Sequence, residues 1–133
     1  KEYEEKLVKS GGVDIQLLGI GGNGHIAFNE PAEYLNTKTS IVELTEETIR
    51  ANSRFFNSLE EVPKKAISMG IGSILRSREI ILLASGKSKS KALYEFLTND
   101  KITTFLPVSF LHLHSNVVVI CDEDAYSLVK EEL

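Results

Sequence analysis

Three side chains able to hold or move a proton lie close together in VDIQLLGIGGNGHIAFNEP, the stretch from Val13 to Pro31: Asn23, His25 and Glu30. Imidazole titrates near neutral pH unaided, and an amide or carboxylate beside it fixes its tautomer and tunes its basicity. Asn23 and His25, two residues apart, can project into one cleft, and Glu30, just ahead of Pro31, can return to the imidazole. The glycines Gly21, Gly22 and Gly24 can adopt positive φ and let the backbone approach a ligand closely. The loop is therefore a candidate acid–base device, with His25, Glu30 and Asn23 as catalytic groups and Gly21 and Gly22 as substrate-facing backbone. On spacing alone, a structural histidine bonded to a loop carbonyl is an equally open reading.

The same loop spells a second motif. Gly19, Gly21 and Gly24 match the G-x-G-x-x-G spacing of a dinucleotide site, and Glu43 falls about 20 residues on, where a ribose-binding acid belongs. That motif works only if the third glycine opens a helix facing the pyrophosphate. Here HIAFNEPAEYL places Pro31 inside the would-be helix, at a cost of about 3 kcal/mol from the missing N–H and the ring clash. The dinucleotide reading is set aside.

Two clusters of cations could hold an anion. LLASGKSKSKALYEFL puts Lys87, Lys89 and Lys91 at a helix start, where positive charge opposes the helix dipole unless solvent or an anion compensates. Backbone N–H groups there, with a lysine, form a phosphate site; a solvated lysine face is the alternative. Gly86-Lys87-Ser88 is not a nucleotide P-loop, because the first glycine of that motif would fall at Ile81. In IRANSRFF, Arg50 and Arg54 share a helical face, and an arginine fork can grip phosphate oxygens; surface arginines on an amphipathic helix are the commoner alternative. His112 and His114 have the spacing of two metal ligands but no third is evident nearby, so both are expected to be structural and no metal is expected.

These groups need elements to position them. Glu2 to Lys9 reads as a helix ended by Ser10-Gly11-Gly12. Val13 to Ile20 is nearly all apolar, as in a strand buried on both faces of a parallel sheet. Thr39 to Leu44 reads as a second strand, and Thr45 as the N-cap of a helix reaching about Phe56, with Thr48 at its third position. AISMGIG is a short apolar piece leading into SILRS. Glu79 to Ser85 is a buried strand, a helix follows Gly86, NVVVICD is the last strand and EDAYSLVKEEL the closing helix. Strands alternating with helices predict an α/β fold with a largely parallel sheet and flanking helices. Ligands of such sheets bind beyond the carboxyl ends of strands, which directs attention to the loops after Ile20, Leu44 and Ser85.

The totals agree with one such domain. The chain has 133 residues, 42% hydrophobic and 26% charged, with a net charge of -4, so no electrostatic footprint for nucleic acid or an anionic membrane is visible. No run approaches the about 20 apolar residues of a membrane span. With one cysteine, Cys121, no intrachain disulfide can form, and a reducing compartment, the cytoplasm, is expected. Cys121 closes an apolar run and is expected to be buried and inert. Oligomeric state is left open, a homo-oligomer included. The chain opens within a charged helix and without methionine, which suggests the second part of a longer polypeptide.

GGNGHIAFNEP resembles the signature of the glucosamine-6-phosphate deaminase family, and ANSRFF, LASGKSKSKAL and PVSFLHLH followed by VVVICDE resemble the same family in the same order. The likeness runs from Val13 to beyond Cys121. The related sugar-lactonase branch shares the Gly-His step but continues with Thr-Ala-Ser-Leu-Phe-Pro. The resemblance implies a Rossmann-like sugar-phosphate isomerase fold and conversion of D-glucosamine 6-phosphate and water to D-fructose 6-phosphate and ammonia, without metal or organic cofactor. A phosphosugar lactonase and a non-catalytic sugar-phosphate sensor are the alternatives.

By the family pattern His25 opens the pyranose ring, Glu30 is its charge partner, and Asn23 stands where many relatives have an aspartate. Arg54 and Lys89 match the positions that grip the sugar phosphate. The family's enolising aspartate and N-terminal phosphate loop have no match here, so residues 1–133 resemble the C-terminal portion of a single domain, with the N-terminal half of the same enzyme as its partner, and alone would be inactive. Residues 40–69 resemble a mobile lid. Positions that serve activation by N-acetylglucosamine 6-phosphate in hexameric members correspond to Glu33, Ser40 and Val42, so that regulation is not expected.

Overall fold

The computed structural model describes residues 1–132; the last residue of the expected closing helix, Leu133, lies outside them. In chain order the elements are α1 (Glu2–Lys9), β1 (Ile15–Gly19), β2 (Ser40–Glu43), α2 (Glu46–Asn52), β3 (Lys65–Ser68), α3 (Ile71–Leu75), β4 (Glu79–Ala84), α4 (Ser90–Leu97), β5 (Val117–Cys121) and α5 (Glu123–Glu131). Short 3-10 turns cover Ser53–Phe55, Leu59–Glu61, Lys87–Lys89 and Pro107–Leu113. The expected α/β fold with a parallel sheet is present: β1, β4 and β5 form one parallel sheet in the order β1-β4-β5, with Leu18 opposite Leu82 and Leu82 opposite Val119.

Side-chain alternation along these strands divides the sheet into two faces. Leu18, Ile80, Leu82 and Ala84 enter a core completed by Ile71 and Ile74 of α3, Ala92, Leu93 and Phe96 of α4, and Ala125 of α5. The other face is apolar but uncovered. Ile15, Leu17, Leu83, Val118 and Ile120 are all exposed there, at 42% to 61% of their full surface. The expectation of a first strand buried on both faces is thus corrected: among the described residues no element packs on this side, although its composition is that of a covered strand.

The second strand also departs from expectation. Thr39 to Leu44 contains β2, but β2 stands outside the parallel sheet and pairs antiparallel with β3, Ser40 opposite Ser68 and Glu43 opposite Lys65. β3 lies in the stretch that includes AIS, which sequence reasoning left without an element. The helix expected to reach Phe56 gives up α geometry after Asn52 and tightens into the Ser53–Phe55 turn. Likewise the lysine-rich helix opens as a 3-10 turn at Lys87–Lys89 before α4 begins at Ser90.

α1 is tied to this second layer by its one buried residue. The Glu4 carboxylate accepts from the Thr39 backbone N–H (2.8 Å), the Thr39 hydroxyl (2.7 Å) and the Ser73 hydroxyl (2.5 Å), and pairs with Arg76 at 3.1 Å. Those donors, the Ser73 hydroxyl foremost, hold its pKa down to about 2. Gly11 and Gly12, at φ of 95° and 85°, end the helix as expected, with Gly12 N–H donating back to Leu7.

Candidate active site

The loop after β1 does not continue as a helix; residues 25–39 run without regular structure past Pro31. It folds on itself instead. The Gly21 N–H donates to the His25 carbonyl (2.9 Å) and the Gly24 N–H to the Gly21 carbonyl (2.9 Å), while Ile26, fully buried, anchors the far side. Asn29, also buried, donates from its amide to the carbonyls of Ile26 (3.0 Å) and Met69 (2.9 Å), and the Phe28 N–H donates to the Ser68 hydroxyl (3.0 Å). The end of β3 is therefore the buttress of the loop.

Of the glycines expected to use positive φ, only Gly24 does, at 86°. Gly21 is required for space, and Gly22 is tightly enclosed. A Cβ on Gly21 would stand 2.1 Å from the His25 ring, and one on Gly22 would meet Glu47 Oε1 at 3.1 Å and the Ser88 carbonyl at 3.3 Å. The imidazole thus lies flush against the backbone of Gly21. Among the described residues Ala27 is the one non-glycine at positive φ, 51°.

His25, Asn23 and Glu30 meet. The Asn23 amide donates from Nδ2 to Glu30 Oε2 (2.8 Å), and its Oδ1 lies 2.7 Å from His25 Nδ1. Because an ionised carboxylate only accepts, Nδ2 must face Glu30, so Oδ1 faces the imidazole and Nδ1 carries the proton. The His25 backbone N–H donates to the same Oδ1 at 3.1 Å. Glu30 Oε1 stands behind, 3.6 Å from Nδ1. Neutral His25 consequently has its lone pair on Nε2.

Two threonines of the α2 entry complete the environment of Glu30. Thr48 donates to Oε1 at 2.5 Å and Thr45 to Oε2 at 3.1 Å, while Thr45 also accepts the Thr48 N–H as N-cap at 3.2 Å. Sequence reasoning found this cap but not the contact with Glu30, since no local spacing links residues 15 and 18 positions apart. Glu30 is 7% exposed. Burial lowers the pKa of His25, and the Lys89 ammonium lowers it further; the Glu30 and Glu47 carboxylates oppose both.

Lys89 therefore belongs to the same neighbourhood. The turn that presents it is held by Asp122, the N-cap of α5, which accepts from the Ser85 hydroxyl (2.6 Å) and the Gly86 N–H (3.0 Å), with Gly86 at φ 90°. Nothing in the local sequence pointed to Asp122, which arrives from the end of β5. Arg54 does not join this group here: its guanidinium donates to the Ala51 carbonyl (2.5 Å) and lies 4.4 Å from the centre of the Phe55 ring. Two open clefts flank the relay, one of about 240 Å³ lined by Phe28, Asn29 and Glu30 among others, the other of about 120 Å³ lined by Gly22, Asn23 and Lys91.

His112 and His114 have local partners, as expected of structural histidines. His112 Nε2 is 3.0 Å from the Phe96 carbonyl; His114 Nε2 is 2.6 Å from that of Ser77, and its Nδ1 accepts the Asn116 N–H. Cys121 is half-buried, less enclosed than its apolar run implied. Among the described residues no group of three or more His, Cys, Asp or Glu side chains could hold a metal ion, and no helix is long and apolar enough to cross a membrane.

A parallel α/β sheet with a histidine–amide–carboxylate relay just past the carboxyl end of β1 defines a Rossmann-like protein whose site can transfer protons. The chain belongs to the family of glucosamine-6-phosphate isomerases and 6-phosphogluconolactonases, whose model matches residues 1–120. It is 54% identical over 132 residues to the glucosamine-6-phosphate deaminase of Thermoanaerobacter sp. (strain X514), covering 99% of this chain and 52% of that one. A solved monomeric glucosamine-6-phosphate deaminase superposes with a TM-score of 0.91 at 50% identity, covering 96% of this chain and 52% of the other. The 6-phosphogluconolactonase of Trypanosoma brucei superposes with a TM-score of 0.68 at 20% identity, over 96% of this chain and 51% of its own, which is a likeness of fold. The chain spans about half the length of the curated relatives it matches.

Proposed function

We propose that residues 1–133 are the C-terminal portion of a single sugar-phosphate isomerase domain, acting with the N-terminal half of the same enzyme as a glucosamine-6-phosphate deaminase of cytoplasmic N-acetylglucosamine catabolism. The observation that carries the reading is the His25 relay: Nδ1 bonded to Asn23 Oδ1, Glu30 behind it, and the basic lone pair on Nε2. In ring opening, Nε2 takes the proton of the C1 hydroxyl; the C1–O5 bond breaks and the same proton is delivered to O5, leaving the aldehyde. Asn23 and Glu30 keep the imidazole oriented through the cycle, Asn23 by geometry and Glu30 by charge.

The remaining steps move the C2 proton to C1 through an enolamine, after which water adds to the C2 iminium and ammonia leaves. The base for that transfer belongs to the N-terminal half. Lys89 and Arg54 are the proposed phosphate ligands. The Gly86 turn that carries Lys89 near His25 supports this role for Lys89, and Arg54 would have to leave Ala51 to take part. Phosphate gripped at one end aligns C1 and C2 against His25, turning binding energy into orientation.

Coupled ammonia release from glucosamine 6-phosphate by the full-length enzyme, wild type against His25→Gln, tests this reading. The expected outcome is turnover by wild type and a loss of about 10²–10⁴-fold in kcat for the variant, the range of general acid–base catalysis. A wild-type enzyme that binds the sugar phosphate without releasing ammonia would overturn it.

A further inference from the structure

Glu30 is the only acid in direct reach of the His25 ring nitrogens among the described residues, yet it stops 3.6 Å short of Nδ1. A carboxylate free to move would close on an imidazolium to the 2.7–2.9 Å of a charge-assisted bond. What restrains it is visible. Oε1, the oxygen nearest His25, takes the Thr48 hydroxyl, and Oε2 takes the Thr45 hydroxyl and the Asn23 amide. Thr48 is itself 2% exposed and Thr45 is fixed as N-cap of α2, so neither hydroxyl is a casual surface contact.

We propose that Thr45 and Thr48 are positioning residues that hold Glu30 at its stand-off from His25, making the first turn of α2 part of the acid–base machinery. The inference rests on the proposed role of His25. Its logic is competition: each threonine proton bound to Glu30 removes lone-pair density that would otherwise stabilise a protonated imidazole. With Oε1 engaged by Thr48, the Nδ1 proton goes to Asn23, the imidazole is neutral, and Nε2 is free to accept. Three other groups bear on the ring's charge, Lys89 from the 3-10 turn after β4, Glu47 from α2 and Glu30 itself. Since Glu47 and both threonines ride on one helical turn, movement of α2 alters two of the carboxylate influences on His25 together.

The test is the pH dependence of kcat/KM for ammonia release by the full-length enzyme carrying Thr48→Val, which replaces the hydroxyl with a methyl of similar shape, and Thr48→Ser, which restores the donor. Thr48→Ala serves if the valine variant does not fold. In Thr48→Val, Oε1 is released to His25, so the acid limb is expected to move to higher pH by at least about half a unit, a threefold change in proton affinity, with KM little changed. Thr48→Ser is expected to return the wild-type profile. An equal fall in kcat at every pH with an unmoved acid limb would overturn the proposal and assign Thr48 a purely structural role. The imidazole titration of His25 followed by NMR separates this from failure of the deaminase reading. If wild type releases no ammonia, a raised His25 pKa in Thr48→Val still upholds the restraint, and an unchanged one refutes it.

Discussion

His25 is neutral by default because its burial outweighs the two carboxylates that favour its charge. Its folded pKa lies below the ordinary 6.5, so the folded state binds fewer protons than the unfolded one as pH falls through 6.5 toward that lower value. Stability therefore decreases with acidification across that window, and the acid limb of free-enzyme kcat/KM is expected below pH 6.5; an NMR titration placing His25 above 6.5 would contradict both statements. At Gly21 the expected outcome is equally specific. Gly21→Ala puts a methyl where the imidazole stands, forcing the ring aside by more than an ångström. A misplacement of that size costs about 10²-fold in rate, so kcat should fall by that order while the melting temperature changes modestly, and unchanged kcat would mean that the ring position is immaterial. The relay was legible in the sequence because Asn23, His25 and Glu30 lie on one short loop. The need for Gly21 was legible too, but for the wrong reason, since contact with a side chain four residues on leaves no mark on backbone propensity. Thr45 and Thr48 declared themselves as a helix cap, and their second role required knowing that α2 packs across Glu30.

At the level of elements, α1 is attached through Glu4, whose charge the fold stabilises. Because its pKa falls to about 2 from 4.5 in the unfolded chain, the stability it contributes is complete above pH 4.5 and is lost as pH falls toward 2. Glu4→Gln weakens charge-assisted bonds to Thr39, Ser73 and Arg76 together and is expected to cost about 1.5–3 kcal/mol at neutral pH. The urea midpoint of the variant should be lower than wild type at pH 7 and converge with it near pH 2; a constant difference across that range would remove the carboxylate charge as the cause. The parallel strands β1, β4 and β5 were readable as continuous apolar runs, which is what a sheet interior imposes. β2 was legible as a strand within Thr39 to Leu44 but its place outside the parallel sheet was not, and β3 was not recognised, because SIVE and KAIS are four-residue segments polar only at their ends. Such a pattern says that a strand exists but not which sheet it joins, and the antiparallel pairing depends on a partner more than twenty residues away. The tightening of α2 after Asn52 follows from the Ser53 and Asn52 side chains, which bond the carbonyls of Arg50 and Thr48 and compete with the regular ladder.

On the scale of the molecule, the uncovered face of the sheet sets the behaviour of this chain in isolation. Ile15, Leu17, Leu83, Val118 and Ile120 form a contiguous apolar surface on adjacent strands, of the kind that associates or recruits a partner. The 133-residue chain alone is expected to bind a hydrophobic dye and to sediment as more than a monomer, and to release no ammonia from glucosamine 6-phosphate. A monodisperse monomer without dye binding would show the face to be harmless. The full-length enzyme should show no change in half-saturating substrate concentration with N-acetylglucosamine 6-phosphate, given Glu33, Ser40 and Val42; a sharp decrease would reverse this. Among the described residues β1 pairs with β4 in that sheet, and β4 leaves the ribosome about 60 residues after it, a delay of about 3–12 seconds at ordinary rates of synthesis. Throughout that interval the QLLGI run lacks its β4 partner. Slowing synthesis between β1 and β4 is expected to lower the yield of folded protein without altering the stability of the molecules that form.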